Sequence, residues 1–127
     1  MITTCCLIQS VCAQYQMIGY TEEQIFNFAE SYHYNVEKLY DSDQSIYLLM
    51  KLKSHSAAFY FQGNNCDMIA IFPATEEDLF FYVYHFNHSE EFNKISEEIW
   101  TCLIGTRIIS IQYTISDDLK YFLCKEI

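Results

Sequence analysis

Glycine and proline are almost missing from this chain. Gly19, Gly63, Gly105 and Pro73 are the only such residues among 127. Because these two residues are the strongest breakers of regular structure, the chain must use short connections and spend most of its length in helix or strand. The four positions also divide it into segments whose apolar periodicity can be read one at a time.

Before Gly19, residues 4–18 place Leu7, Ile8, Val11, Cys12, Tyr15 and Ile18 at helical spacing, with the glycine as a natural stop. Thr21-Glu22-Glu23-Gln24 then reads as a capping box, with two acids suited to the positive end of a helix dipole. Ile25, Phe28, Ala29, Tyr32, Val36 and Leu39 continue one apolar stripe to about residue 40. Two helices separated by so little predict an αα-hairpin.

Past the polar turn 41–45, strands are predicted over Ile46–Leu52, Ala57–Gln62 and Cys66–Phe72, the last two joined through Gly63-Asn64-Asn65. Pro73 separates a fourth strand, Leu79–Phe86, apolar or aromatic on both faces and therefore central. Ser89-Glu90-Glu91 opens a third helix burying Phe92, Ile95, Ile99, Trp100, Leu103 and Ile104, which Gly105 ends. Strands Arg107–Ile115 and Leu119–Glu126, joined through Ser116-Asp117-Asp118, complete the order ααββββαββ. The expected fold is α+β: a mainly antiparallel five- or six-stranded sheet with an N-terminal helical hairpin and a third helix. Residues 1–127 read as a single globular domain with no linker and no internal repeat. Leu7, Val11, Ile25, Phe28, Tyr32, Ile71, Phe81, Ile95, Trp100, Leu103 and Ile111 are expected to be mostly buried.

Half of the residues are hydrophobic and 17% aromatic, which opposes disorder. The first 21 residues carry no charge, yet a secretory signal would need a positive start and an apolar run uninterrupted by Gln9 and Ser10. No apolar stretch approaches the roughly 20 residues that span a bilayer. A cytoplasmic location is expected, with the six cysteines (Cys5, Cys6, Cys12, Cys66, Cys102, Cys124) reduced and serving as small hydrophobes.

Seventeen acids oppose seven bases, a formal net charge of −10 with Arg107 as the one arginine. Such a field repels nucleic acid and anionic lipid and attracts basic partners. The acids fall in clusters at 22–23, 41/43, 76–78, 90–91, 97–98 and 117–118. Those at 22–23 and 90–91 suit helix starts. Glu76, Glu77 and Asp78 precede an expected strand, where that account does not apply, and Asp117 and Asp118 likewise lack one. These five are the candidate partner-binding residues. Eleven tyrosines accompany them, a residue favoured at interface cores, although strand propensity explains many.

No catalytic or metal signature competes with this reading. His85 and His88 make an H-x-x-H, but at a strand end the two need not converge, and no further ligand is marked. Cys66, with His55 or His85 as base, would need positive surroundings to favour a thiolate, and the chain has few. No catalytic residue, metal or cofactor is expected.

The leading expectation is a non-enzymatic acidic protein that binds and neutralises a basic protein partner, most simply the nuclease of a toxin–immunity pair. In size and charge alone the chain looks like bacterial immunity proteins, a class varied in fold. The alternatives are a phage or viral inhibitor mimicking nucleic-acid charge, a small hydrolase or isomerase with a pocket between sheet and helices, and a structural subunit with an oligomer interface.

Overall fold

The computed structural model describes residues 14–127. Helix α1 (Glu22–Tyr32) leads into β1 (Asn35–Tyr40), β2 (Ile46–Lys51), β3 (His55–Gln62) and β4 (Asn65–Pro73). Helix α2 (Glu76–His88) leads into β5 (Phe92–Ser96), β6 (Ile99–Ile104), β7 (Arg107–Ser116) and β8 (Leu119–Glu126). All strands among the described residues join one antiparallel eight-stranded sheet, in the order β1-β2-β3-β4-β8-β7-β6-β5.

The expected five- or six-stranded sheet with three helices is therefore wrong, and three segments account for the error. The first predicted helix lies outside the described residues over 4–13. Of the next residues, Gln14 and Tyr15 are helical and 16–19 form turns, and among the described residues there is no helical hairpin. The second helix stops at Tyr32 because His33 takes the left-handed conformation (φ 59°) and its N–H returns to Ala29 and Glu30 carbonyls. The stripe residues Val36 and Leu39 belong to β1 instead.

Leu79–Phe86, expected as a central strand, is the body of α2. Thr75 is its N-cap, with Oγ1 accepting from the Asp78 N–H at 3.1 Å. A run of residues apolar at nearly every position shows no period, so neither helix nor strand can be read from it. The cap decides. Leu79, Tyr82, His85 and Phe86 face inward, while Phe80 stays 68% exposed.

Phe92–Ile104, expected as a helix, is the β5–β6 hairpin, turning at Glu97-Glu98. Its apolar residues satisfy helical spacing by coincidence. Trp100 and Cys102 alternate inward, whereas Ile95 and Leu103 are 62% and 69% exposed. Of the expected core, Ile25, Ile71, Trp100 and Ile111 are buried and Phe28 partly so. Tyr32 and Phe81 join Ile95 and Leu103 on the surface, and Leu7 and Val11 lie outside the described residues.

An internal repeat, not expected from the sequence, is visible once the elements are laid out. Each half is a helix followed by a four-stranded antiparallel meander, and the halves meet where β4 pairs with β8 (Ile69 opposite Cys124, Ile71 opposite Phe122). The two helices open on related sequences, Thr21-Glu-Glu-Gln-Ile-Phe26 and Thr75-Glu-Glu-Asp-Leu-Phe80. The capping motif thus occurs twice, with Thr21 and Gln24 forming the full box and Thr75 and Asp78 a close variant.

Helices α1 and α2 and residues 14–18 pack on one face of the sheet. Ile25, Ala29, Leu79, Tyr82 and Phe86 meet a floor of alternate strand residues, including Leu48, Phe59, Ile69, Ile111 and Phe122. Gly19 closes this layer at the sheet. Its N–H donates to the Cys66 carbonyl at 2.7 Å, its φ is +96°, and an added Cβ would lie 2.8 Å from Arg107 Nη1. That same nitrogen donates to the Ile18 carbonyl at 2.7 Å, so the one arginine serves the fold.

Candidate functional site: the open sheet face and its acidic end

Alternation places a second set of side chains on the other face of the sheet, which no described residue outside the sheet covers. Tyr47 and Leu49 of β2, Ala58 and Tyr60 of β3, Met68, Ala70 and Phe72 of β4, and Tyr121 and Leu123 of β8 stand there. A half-buried strand usually presents polar residues on such a face. Here it presents rings.

The rings are paired. Tyr47 stacks on Tyr60 with centroids 5.4 Å apart, and Phe72 lies against Tyr121 at 5.2 Å. Between the two pairs runs a low row, in which Ala58 and Ala70 are direct cross-strand partners and Leu123 sits beside Ala70. Short side chains between tall rings leave a groove of about 520 Å³, lined by Tyr60, Ala70, Phe72, Tyr121 and Leu123 among others, with Asp117 at one end. Burial holds the Tyr60 hydroxyl above its ordinary pKa, with Tyr47, Asp41 and Tyr121 adding to the effect, so it remains a neutral donor at neutral pH.

Antiparallel order brings the candidate acids to a single end of this sheet. The end of β4 and start of α2, the β5–β6 turn and the β7–β8 turn all lie there. Glu76, Glu77 and Asp78 are thus near Asp117 and Asp118, and Glu97 and Glu98 share the same end. A contact ties the first two clusters: Lys120 Nζ, one residue past β8's start, lies 2.8 Å from Glu76 Oε1, and this partner raises the lysine's pKa.

The premise that picked out these acids is corrected, however. Glu76, Glu77 and Asp78 occupy the first turn of α2, where the helix dipole favours them, and Asp78 Oδ2 accepts from the Thr75 hydroxyl at 2.9 Å. Asp117 and Asp118 occupy consecutive positive-φ positions (51° and 67°), as a tight hairpin turn needs and as Asp tolerates better than most residues. Each acid therefore has a structural explanation. Glu77, Asp117 and Asp118 are the three without a salt bridge or side-chain hydrogen bond among the described residues.

Between helix and sheet lies a separate polar cluster. The Tyr82 hydroxyl is 2.7 Å from His55 Nδ1 and 2.9 Å from Ser54 Oγ, which is itself 3.1 Å from Nδ1. His55 is 2% exposed and its Nε2 has no hydrogen-bond partner among the described residues. Burial lowers its pKa to about 4, against a smaller opposing pull from Asp78, and burial pushes the Tyr82 phenol up to about 12. The result is a neutral imidazole hydrogen-bonded to a neutral phenol, whose own O–H also reaches Ser54 Oγ. It is sealed from solvent, and the groove lies on the opposite side of the sheet.

His85 and His88 sit on α2 rather than a strand. His85 is packed against Phe92 and Phe86, while His88 is exposed, with Nδ1 2.8 Å from the Tyr84 carbonyl of its own helix. Among the described residues no three His, Cys, Asp or Glu side chains are grouped to hold a metal ion. Cys66, Cys102 and Cys124 are buried thiols outside any disulfide, and burial pushes the Cys66 thiol up to about 12, far from thiolate chemistry. Cys5, Cys6 and Cys12 lie outside the described residues. No described helix is long and apolar enough to cross a membrane.

Sequence reasoning missed the ring-lined face. A signal for it existed: β3, β4 and β8 are apolar on both faces (Ala57-Ala58-Phe59-Tyr60-Phe61, Met68-Ile69-Ala70-Ile71-Phe72, Tyr121-Phe122-Leu123), and helices on one side can cover only one. Comparison with protein-family models, curated proteins and solved structures found no match.

Proposed function

We propose that this chain is a non-enzymatic binding protein that neutralises a basic protein partner, most simply a cytoplasmic immunity protein that blocks a toxin nuclease. The observation that carries this reading is the juxtaposition of Glu77, Asp117 and Asp118, at one end of the sheet, with a broad tyrosine-bearing face, on a chain of net charge −10. A nuclease holds its substrate with positive charge, so an acidic inhibitor is drawn to the cleft. Complementary fields raise association rates to about 10⁸ M⁻¹s⁻¹ or more at low salt. Tyrosine supplies contact area with few rotatable bonds, as interface cores require. Charge mimicry of nucleic acid by a phage or viral inhibitor rests on the same acids. The ring-lined face favours a protein partner with apolar contacts over pure mimicry.

The hydrolase or isomerase reading draws on one feature, the Ser54–His55–Tyr82 cluster. Its imidazole is sealed on the helix side of the sheet, away from the groove, which gives a substrate no path to it among the described residues. The binding reading needs no such path.

The test is capture on the purified full chain from a lysate of the cells that express it, at low ionic strength. Mass spectrometry then identifies the captured protein, and its activity is titrated. The expected result is one basic protein whose activity falls to zero at one equivalent of the chain. A captured protein that is acidic, or whose activity does not change at saturation, sinks the reading.

A further inference from the structure

Helix α2 is apolar on both of its sides. Leu79, Tyr82 and Phe86 fill the core, yet Phe80, Phe81 and Tyr84 on the outer side are 68%, 42% and 62% exposed. A surface helix ordinarily turns polar residues outward. The first half of the repeat shows what the fold itself requires there. Counted from the two threonine N-caps, Phe80, Phe81 and Tyr84 correspond to Phe26, Asn27 and Glu30 of α1, and Asn27 and Glu30 are exposed. A polar residue at these last two positions is therefore compatible with a capped helix on this sheet. Neither capping nor core packing accounts for the two extra rings of α2.

The rings stand in a stripe with an acid at each end. Glu77 lies one turn before Phe80 and Phe81, Tyr84 one turn after them, and His88 one turn further, its ring stacked on Tyr84 at 4.0 Å. Glu90 follows just past the helix end and is exposed. No lysine or arginine occurs between Lys53 and Lys94, and Lys120 is held by Glu76 at 2.8 Å. We infer that this face of α2 is the docking surface for an amphipathic helix of a basic protein, aliphatic along one side and bearing lysine or arginine around it. The inference rests on the binding function proposed above and names a surface and a chemistry for it. The 13 residues of α2 span about 20 Å, and the stripe forms a ridge that packs into the groove between the side-chain rows of a second helix. Aliphatic side chains of that helix cover the rings, and its cations meet Glu77 and Glu90. Charge selects this occupant. Residues 1–13 of the chain carry no charged side chain and would leave both acids uncompensated. A second copy would bring its own net charge of −10 against the first.

Full-length ¹⁵N-labelled chain, titrated at low ionic strength with three capped 14-residue peptides, tests this. The first has leucine along one helical face and lysine elsewhere, the second replaces its leucines with alanine, and the third replaces its lysines with glutamate. The Lys–Leu peptide is expected to shift the amides from Glu77 to His88 saturably. The Lys–Ala peptide should bind far more weakly, and the Glu–Leu peptide should produce no shift. Phe81→Asn with Tyr84→Glu gives α2 the side chains that α1 carries at the same positions. This double variant should weaken the Lys–Leu peptide about tenfold, with unchanged Trp100 and Ile111 amides reporting an intact fold. It has one more negative charge than the parent, so a purely electrostatic contact would be tightened instead. Glu77→Gln should weaken the peptide about threefold, as an exposed ion pair allows.

Equal affinity for the Lys–Leu and Lys–Ala peptides would overturn the apolar contact, and equal affinity for the Glu–Leu peptide the cationic one. Saturable shifts at the β7–β8 turn or the open sheet face, with α2 unmoved, would overturn this surface while leaving the acidic-binding function standing. Concentration-dependent broadening of the Phe80, Phe81 and Tyr84 amides without peptide would assign the face to a second copy and overturn the proposal. Side-chain NOEs from Phe81 and Tyr84 to residues 1–13 in the free chain would assign it to the chain's own start, with the same result. Capture of no basic protein from lysate, with the α2 shifts present, would overturn the proposed function but not the docking surface.

Discussion

His55 is where a single residue sets the pH response of the fold. Its Nδ1 is held by Tyr82, and burial keeps the ring neutral with a pKa lowered to about 4, whereas the unfolded chain protonates it near 6.5. A depressed folded pKa means that the unfolded state binds more protons across this window. The stability is fully present above pH 6.5 and is lost as pH falls towards 4, by about 3 kcal/mol at the lower limit. Urea unfolding at pH 7 and pH 4.2, for the parent and His55→Gln, measures this. The parent should lose about 3 kcal/mol more than the variant over that interval. Equal losses would mean that the imidazole is not held neutral by the fold.

At the scale of elements, local chemistry is legible wherever a cap or a tight turn marks a boundary. It is lost wherever an apolar run carries no period. Thr21-Glu-Glu-Gln reads as a helix start and is one. Thr75-Glu-Glu-Asp is nearly the same signal, yet the aromatic run after it is strand-favouring by composition and masks the cap. Treating the pair as a repeat places α2 correctly. It also frees Phe92–Ile104 to be a hairpin like its counterpart Asn35–Lys51. The five candidate acids are brought to one end of the sheet by topology that the sequence does not display, and the groove depends on cross-strand registers such as Ala58 opposite Ala70. Capping also changes what the acids of α2 do for stability. Thr75→Ala should cost about 1 kcal/mol, because the Asp78 N–H loses its acceptor. The triple change Glu76→Gln, Glu77→Gln and Asp78→Asn should also lower stability rather than raise it, since it weakens the dipole interaction and the Lys120 contact. Chemical denaturation of both variants decides this, and a triple variant as stable as the parent would show that repulsion among these acids cancels their helix role.

At the scale of the whole molecule, the acids divide by duty. Asp78 supports the Thr75 cap and Glu76 holds Lys120, so mutating them confuses binding with stability. Glu77, Asp117 and Asp118 can be neutralised with less structural consequence. Asn tolerates the positive φ of the turn as Asp does, which preserves the β7–β8 hairpin. The variant Glu77→Gln, Asp117→Asn, Asp118→Asn lowers the net negative charge by three while leaving the cap and the sheet registers in place. Long-range steering acts on the approach of a partner and is screened by salt over roughly 10 Å at 0.1 M, whereas short-range contacts govern departure. The variant should therefore associate with the captured basic partner about tenfold more slowly at low ionic strength. Its rate should depend less steeply on salt, and the two proteins should converge near 1 M, where screening is nearly complete. The dissociation rate should change by no more than about fivefold, as exposed ion pairs allow. Stopped-flow association across an ionic-strength series, with dissociation measured separately, resolves the two rates. Unchanged association at low salt would mean that these acids serve solubility and turn geometry alone, and the apolar face would then have to find its partner without electrostatic guidance.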